Sequence, residues 1–270
     1  MKYKLKVLVY IQVVLLFTLR VFSQDFFDDF NGSKLNDSKW TKANSKWGVT
    51  TKGTNGGVIP ENVFVKNGNL VIRAHGNFYK GTVSGHDQNI KVGGAVFTKK
   101  SFASGSYEVK AKICPQLGAL SAFWTYYYEN DSCNHEVDFE FPGRNQAPNT
   151  SETSDLNWGL MTNWQGVSDS MHRNVDMYFG NQTDGNYHLY RFEWHTGSDT
   201  QKARVEWYYD NKLLHTAYEV VPNRSSKFWL GVWFPTWIGK ADFEVDYMYI
   251  DWIKIKEFKE PGDIAGKNKK

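Results

Sequence analysis

The sequence predicts an all-β protein built as a β-sandwich. Segments with strand character recur at near-regular spacing, and turn-forming Gly, Asn, Asp or Pro bounds each of them. Stretches with helical periodicity are scarce, whereas Phe, Trp and Tyr, which favour strands, make up 16% of the residues. Many short strands joined by turns are typical of a sandwich or a barrel, and 270 residues suit one large all-β domain.

The individual strands follow from alternating apolar and polar residues. Residues 106–113 (SYEVKAKI) alternate cleanly, and residues 69–74 follow a turn. The other predicted strands cover 121–128, 135–141, 187–194, 203–209, 227–234 and 247–255, with a hairpin at 208–214. Because the connections between 106–113, 121–128 and 135–141 are short, we expect these three strands to form an antiparallel meander.

The meander bears on the two cysteines, Cys114 and Cys133. Cys114 ends the first strand and Cys133 precedes the third, so the strand between them, about 26 Å long, would separate them. A disulfide needs Cα atoms within about 7 Å of each other. We therefore expect two free thiols, although export would favour a disulfide.

The first 23 residues are typical of a secretory signal peptide. A lysine-rich start precedes the apolar run 7–17, which is too short for a comfortable transmembrane span, and a cleavage point precedes Gln24. We therefore divide the chain into a signal peptide at 1–23, a folded domain at 24–258 and a flexible polar tail at 259–270. The mature protein is expected to be secreted or periplasmic.

Charge argues against a nucleic-acid partner. The formal net charge is +3, but the segment 1–23 holds four basic residues and no acidic one, so the remainder carries −1. Binding to nucleic acid would need a clustered basic face. We expect no nucleic-acid partner, no stable membrane insertion after removal of the signal peptide, and a monomer.

The chemistry of the sequence is concentrated in the strand at 135–141 (HEVDFEF). Side chains in a strand alternate between its faces, so the three apolar residues share one face while Glu136, Asp138 and Glu140 share the other. Like charges at short range raise the pKa of one group, so such a row supplies one ionised and one protonated carboxyl at neutral pH. A solvated acidic face and a calcium-binding face remain alternatives at this point.

The spacing of Glu136 and Glu140 favours one type of acid–base chemistry. Their Cα atoms should lie about 13 Å apart, and each side chain can lean about 3–4 Å toward the other. The carboxyl groups would then be about 5–5.5 Å apart, as in glycosidases that retain the anomeric configuration, rather than about 6.5–9.5 Å apart, as in inverting ones. Asp138 lies between them and can hydrogen-bond to either.

Two neighbouring motifs carry a family resemblance. Residues 122–127 (AFWTYY), followed by 135–143 (HEVDFEFPG), resemble glycoside hydrolase family 16, and the likeness covers almost the whole mature chain. It implies a concanavalin-like jelly-roll β-sandwich with an open cleft on its concave sheet, a catalytic domain at 24–258 and a retaining, endo-acting mechanism. Within it Glu136 would be the nucleophile, Glu140 the acid/base and Asp138 an electrostatic helper.

The spacing of the three acids narrows the resemblance. It lacks the bulge residue of laminarinases, agarases and carrageenases, and it is similar to that of lichenases and plant xyloglucan-active transglycosylases. We therefore expect hydrolysis of a β-linked polysaccharide, preferably a neutral β-glucan with mixed or β-1,3/1,4 linkages. The alternatives are hydrolysis of a marine galactan (agar, carrageenan or porphyran), transglycosylation, and an inactive carbohydrate-binding sandwich.

The resemblance also assigns residues around the acids. Trp124 matches an aromatic residue that lines the family's cleft, and Asn163 matches a polar cleft position on a neighbouring strand. Trp233 and Trp237 match positions that stack on sugar rings. Independently of the resemblance, Arg144 directly follows the catalytic strand, where it can reach a bound anion or a substrate hydroxyl; the alternative is an arginine on the surface.

Catalysis is expected to need no cofactor. We find no P-loop, nucleophile elbow or paired Cys-x-x-Cys in the sequence. Asp251 matches a calcium ligand seen in parts of the family, so the resemblance implies a structural Ca²⁺ that backbone carbonyls near the mature N-terminus would complete.

Overall fold

The strands of the protein form a two-layered sandwich. A computed structural model describes residues 25–47, 55–81, 90–143, 156–238 and 241–267. Within these residues lie three short 3₁₀ turns and sixteen strands. The strands are β1 (Phe26–Asp28), β2 (Trp40–Lys42), β3 (Asn55–Val58), β4 (Val63–Lys66), β5 (Asn69–Tyr79), β6 (Ile90–Phe102), β7 (Gly105–Lys112), β8 (Leu120–Asn130), β9 (Cys133–Pro142), β10 (Trp158–Trp164), β11 (His172–Tyr178), β12 (His188–His195), β13 (Arg204–Tyr209), β14 (Lys212–Ala217), β15 (Ser226–Trp233) and β16 (Val245–Glu257).

The two layers are antiparallel and meet along one edge. The first has the order β4-β5-β16-β7-β12-β13-β14, and the second has the order β11-β10-β9-β8-β15-β6. The 13-residue strand β6 joins them, because it pairs with β15 along most of its length and with β5 near its start. The predicted all-β jelly-roll fold is therefore confirmed. In the part of the chain that the structure describes, no helix is long and apolar enough to span a membrane.

Aromatic side chains fill the space between the layers. Phe123 of β8 packs against Tyr190 of β12, with ring centroids 5.2 Å apart. Trp207 of β13 is 1% exposed, and its indole N–H donates to the backbone carbonyl of Asp138 on β9 at 3.0 Å. This bond crosses the core and attaches the centre of β9 to the opposite layer.

All eight strands predicted from alternation are present, as is the β13–β14 hairpin. Strands β6, β10, β11 and the four short strands β1 to β4 were not predicted from the sequence. In β6 the pair Gly93–Gly94 resembles a turn, but both glycines lie within a strand. A Cβ at Gly93 would lie 1.8 Å from the carbonyl oxygen of Val232, so close backbone approach requires glycine there.

The predicted meander is half wrong. The hairpin of β8 and β9 exists, but β7 lies in the first layer between β12 and β16, whereas β8 lies in the second layer between β9 and β15. The connection at 113–119 crosses from one layer to the other. A short connection can join strands in facing layers as well as adjacent strands, so its length alone did not decide between them.

Both cysteines are nevertheless free thiols, as predicted. The backbone N–H of Cys114 donates to the hydroxyl of Ser121 near the start of β8, whereas Cys133 lies where the hairpin turns into β9. The stretch of β8 from Ser121 to Asn130 is about 30 Å long. The conclusion therefore holds although the strand order behind it was wrong.

The segment expected to be a flexible tail, 259–270, is anchored over its described part. The Asp263 carboxylate accepts hydrogen bonds from the backbone N–H and hydroxyl of Ser104, the hydroxyl of Thr196 and the backbone N–H of Glu260. Ile264 forms a bridge with Arg224. The prediction was wrong for these residues because polar bonds hold them, and the polar composition was interpreted as a sign of flexibility.

We predict that Asp263→Ala lowers the free energy of unfolding by about 2 kcal/mol, because four donors lose a charged acceptor. Urea denaturation followed by Trp fluorescence measures this change. Asp199→Ala, in an exposed turn, is the matched control and should stay within about 0.5 kcal/mol of the wild type. Equal unfolding midpoints for the two variants would show that the C-terminal segment contributes nothing.

Candidate active site

A cleft of about 740 Å³ opens on the face of the second layer that points away from the core. Its floor is built from β8, β9, β10 and β11, and aromatic residues line one side. The lining residues are Trp47, Ala122, Trp124, Tyr126, Glu136, Asp138, Glu140, Trp158, Leu160, Thr162, Trp164, Asn174, Asp176, Trp233 and Trp237.

The three acids of β9 lie side by side on this floor. The core face of β9 is fully buried, so the strand cannot rotate without exposing Val137, Phe139 and Phe141. The register with the neighbouring strands places Tyr126, Trp124 and Ala122 of β8 on one side of the acids, and Trp164, Thr162 and Leu160 of β10 on the other. The predicted alternation of β9 is therefore confirmed.

Burial raises the pKa of each of the three carboxyls. Asp138 is 5% exposed, and burial together with the charges of Glu136 and Glu140 holds its pKa well above the usual range. The pKa of Glu140 is raised by burial and by the charge of Glu136. Burial also raises the pKa of Glu136, but hydrogen bonds from Asn134 and Asp138 oppose this effect. Glu136 is therefore the carboxyl that ionises most readily.

The raised pKa of Asp138 favours a protonated carboxyl that can donate to Glu136. A side-chain hydrogen bond between the two residues lowers the pKa of Glu136 and raises that of Asp138, as expected if Asp138 is protonated and donates. Among the described residues no donor reaches the buried Oδ1 of Asp138. A protonated Oδ1 is a donor itself, which removes the cost of an unsatisfied acceptor.

The other oxygen of Asp138 is held by Trp164, which the sequence analysis missed. The indole Nε1–H donates to Oδ2 at 2.7 Å, and the indole stacks on His172 with centroids 4.3 Å apart. Trp164 lies directly opposite Glu136 on β10. It thus holds Asp138 from the neighbouring strand and lies beside Glu136.

The prediction for Asn163 was wrong by one residue. Asn163 pairs with Val137, so its side chain lies on the core face, where it is 1% exposed and donates to the carbonyl of Glu219. Thr162 and Trp164, on either side of it, line the cleft instead. A shift of one residue along a strand moves every side chain to the opposite face, and β10 itself had not been predicted.

The predicted tryptophans lie in the cleft. Trp124 stacks on Trp229 with centroids 5.6 Å apart, and Trp233 and Trp237 line the same side, with Trp237 44% exposed. Trp47, which the sequence analysis did not select, packs against Trp124 at 5.9 Å. Trp47 lies outside every predicted strand, so no strand pattern indicated its role. The cleft floor also includes Asn174 and Asp176 of β11, a strand that was not predicted.

Two further predictions concern residues outside those the structure describes. Arg144 comes directly after Gly143, where the described range 90–143 ends. The predicted signal peptide at 1–23 lies before Asp25, the first described residue. Both therefore stay predictions.

The surroundings of Asp251 do not fit a calcium site. Its carboxylate is paired with the ammonium of Lys110 at 2.9 Å, and a calcium ion would have to displace that cation. Within the described residues the group with metal-ligand spacing lies elsewhere, at Glu193, His195 and Glu206. There Arg191 and Arg204 already pair with the two glutamates, so that group forms an ion-pair network.

Similar proteins agree with this architecture. A curated β-glucanase of Bacillus subtilis is 28% identical over 161 residues, 57% of this chain and 59% of that protein, so the match spans about three fifths of the relative. A β-glucanase of Brevibacillus brevis is 28% identical over 240 residues, 85% of this chain and 80% of that protein. The crystal structure of a β-1,3-1,4-glucanase (lichenase) from a mouse hindgut metagenome has a TM-score of 0.67 at 19% identity, covering 87% and 99% of the chains, which shows the shared fold.

The family itself is defined by a longer match. Residues 39–254 match the family described as Glycosyl hydrolases family 16. This range includes the acid row of β9, the strands that border it and the tryptophans of the cleft. The chain therefore belongs to glycoside hydrolase family 16.

Proposed function

We propose that the protein is a secreted, retaining endo-glycoside hydrolase that cleaves a neutral β-glucan. The observation that carries this proposal is the row of three acids with raised pKa values on the floor of an open cleft lined by tryptophans. Family membership and the printed names of the β-glucanase relatives support it. Secretion rests on the signal peptide predicted from the sequence.

The environments of the two glutamates assign their roles. Glu136 receives two hydrogen bonds that favour its ionised form, so it acts as the nucleophile on the anomeric carbon. Glu140 is kept protonated by burial and by the charge of Glu136, so it donates a proton to the departing glycosidic oxygen. The result is a glycosyl-enzyme ester on Glu136.

The second step follows from the loss of one charge. Once Glu136 is esterified it carries no negative charge, so the charge that raised the pKa of Glu140 disappears. Glu140, now ionised, takes a proton from a water molecule that attacks the anomeric carbon from the side of the departed group. Two displacements at the same carbon retain its configuration.

The charge of the cleft favours a neutral substrate. Its lining includes four acidic residues and, among the residues described, no lysine or arginine. Sulfated polysaccharides are held mainly by charge-assisted bonds from such cations, and the negative charge of Glu136 would repel them. A neutral sugar chain can instead lie on the indoles of Trp124, Trp233 and Trp237, which offer apolar surface beside polar groups.

The shape of the cleft favours attack within a chain. Apart from Trp47 and Trp237, the lining residues come from β15, β8, β9, β10 and β11, which are consecutive in the second layer. Five strands at about 4.8 Å spacing are about 19 Å across, which accommodates several sugar rings on both sides of the acids.

We predict that the mature chain cleaves a neutral β-glucan and leaves sulfated galactans intact. Reducing ends and viscosity are followed on mixed-linkage β-glucan, laminarin, xyloglucan, agarose, carrageenan and porphyran, with Glu140→Gln as the inactive control. An endo-acting enzyme lowers the viscosity before many reducing ends appear. Activity should depend weakly on salt, since no ionic contact with the substrate is needed. Cleavage of carrageenan or porphyran, with none of any β-glucan, would overturn the proposal.

We predict that Trp164→Phe lowers kcat about tenfold and changes KM little, because the variant keeps an aromatic ring but loses the hydrogen bond to Asp138. Steady-state kinetics on the cleaved β-glucan measure both constants. Trp252→Phe, in the first layer, is the matched control, since Trp252 does not line the cleft. A kcat equal to that of the control would show that the bond from Trp164 has no part in catalysis.

A further inference from the structure

Glu136 has a hydrogen-bond donor that neither the family resemblance nor the cleft lining identifies. The side chain of Asn134 precedes it by two residues on β9, so both lie on the same face of the strand. Asn134 Nδ2 donates to Glu136 Oε1 at 2.7 Å. Because an ionised carboxylate only accepts, the amide must present its NH₂ group to Glu136.

The backbone holds Asn134 in place for this contact. The residue is 5% exposed and lies opposite Tyr128 of β8. Its backbone N–H donates to the carbonyl of Gln165, directly after β10, at 3.3 Å. The backbone of Asn134 is thus fixed between two strands, and its side-chain amide reaches the Glu136 carboxylate along β9.

The neutrality of this donor matters for the pair of glutamates. An ammonium or guanidinium at this position would cancel the charge of Glu136, which raises the pKa of Glu140. An amide instead offsets part of the burial cost of Glu136 and leaves its charge in place. Asn134 therefore widens the difference between the two glutamates, one ionised and one protonated.

The other groups that face Glu136 cannot replace this contact. On the same strand, Asp138 is a carboxyl whose hydrogen bond with Glu136 depends on its own protonation, and Glu140 is affected by the charge of Glu136. Tyr126, directly opposite on β8, stays neutral because burial and the charge of Glu136 raise its pKa to about 12. On β10 the Trp164 N–H is directed at Asp138, and His172 of β11 lies against the Trp164 ring.

We propose that Asn134 is a positioning residue, which holds Glu136 ionised and oriented for attack through the bond between Nδ2 and Oε1. The inference rests on the proposed role of Glu136 as nucleophile. Asn134 touches no reacting atom itself and acts through the carboxylate. Its removal should therefore change the ionisation of Glu136 as well as the rate.

The first test is the pH dependence of kcat/KM on the β-glucan that the wild type cleaves. Asn134→Ala should lower kcat/KM about 10- to 100-fold, as expected for one lost bond to a charged group. The acidic limb should move to higher pH, because the pKa of Glu136 rises without its donor. Asn130→Ala, in the exposed turn of the same hairpin, is the control and should match the wild type.

The second test needs no substrate. The Glu136 carboxyl is titrated by ¹³C NMR in protein labelled at the glutamate side chains, and its signal is assigned by its loss in Glu136→Gln. Its midpoint should rise by about one pH unit in Asn134→Ala. Asn134→Asp, which keeps the shape of the side chain, should also raise it, so a folding defect of the alanine variant does not prevent the test.

The outcomes separate the two proposals. If the midpoint rises in the Asn134 variants but the wild type cleaves none of the polysaccharides, the effect of Asn134 on the ionisation of Glu136 is supported and the proposed function is overturned. An unchanged midpoint in Asn134→Ala and Asn134→Asp would overturn the role of Asn134, whatever the activity. A loss of rate with an unshifted acidic limb would likewise show that Asn134 is only structural.

Discussion

The site depends on placing three carboxyl groups next to one another on β9 at low exposure to water. Like charges at this spacing are unfavourable, so the row is stable only if protons and donors are distributed among its members. Asp138 holds a proton, and Asn134 and Trp164 supply N–H donors from along and across the sheet. The repulsion between buried carboxylates, which destabilises the fold, also makes Glu136 and Glu140 differ in how readily they ionise.

Core packing keeps this row in register. Val137, Phe139 and Phe141 alternate with the acids, and each is at most 2% exposed. The bond from Trp207 to the Asp138 carbonyl ties the centre of β9 to the first layer. A shift of one residue would bury the acids and expose the apolar residues. Burial of the apolar face therefore fixes the position of the acids in the cleft.

Local alternation was enough to predict the acid row, the faces of β9 and eight of the strands. It failed where the layer of a strand or the face of a side chain depended on pairing between distant segments. The position of β7 in the layer opposite β8 and the core placement of Asn163 both follow from partners far away in sequence. The bond from Ser104 to Asp263 spans 159 residues and the bond from Trp164 to Asp138 spans 26, so no local pattern predicts them.

The role of Glu136 as nucleophile can be tested by trapping the covalent intermediate. The protein is incubated with an activated 2-deoxy-2-fluoro glycoside of a β-glucan oligosaccharide, digested with protease, and mapped by tandem mass spectrometry. We expect one glycosyl group per chain, attached to Glu136. A glycosyl group on Glu140 or Asp138 would contradict it.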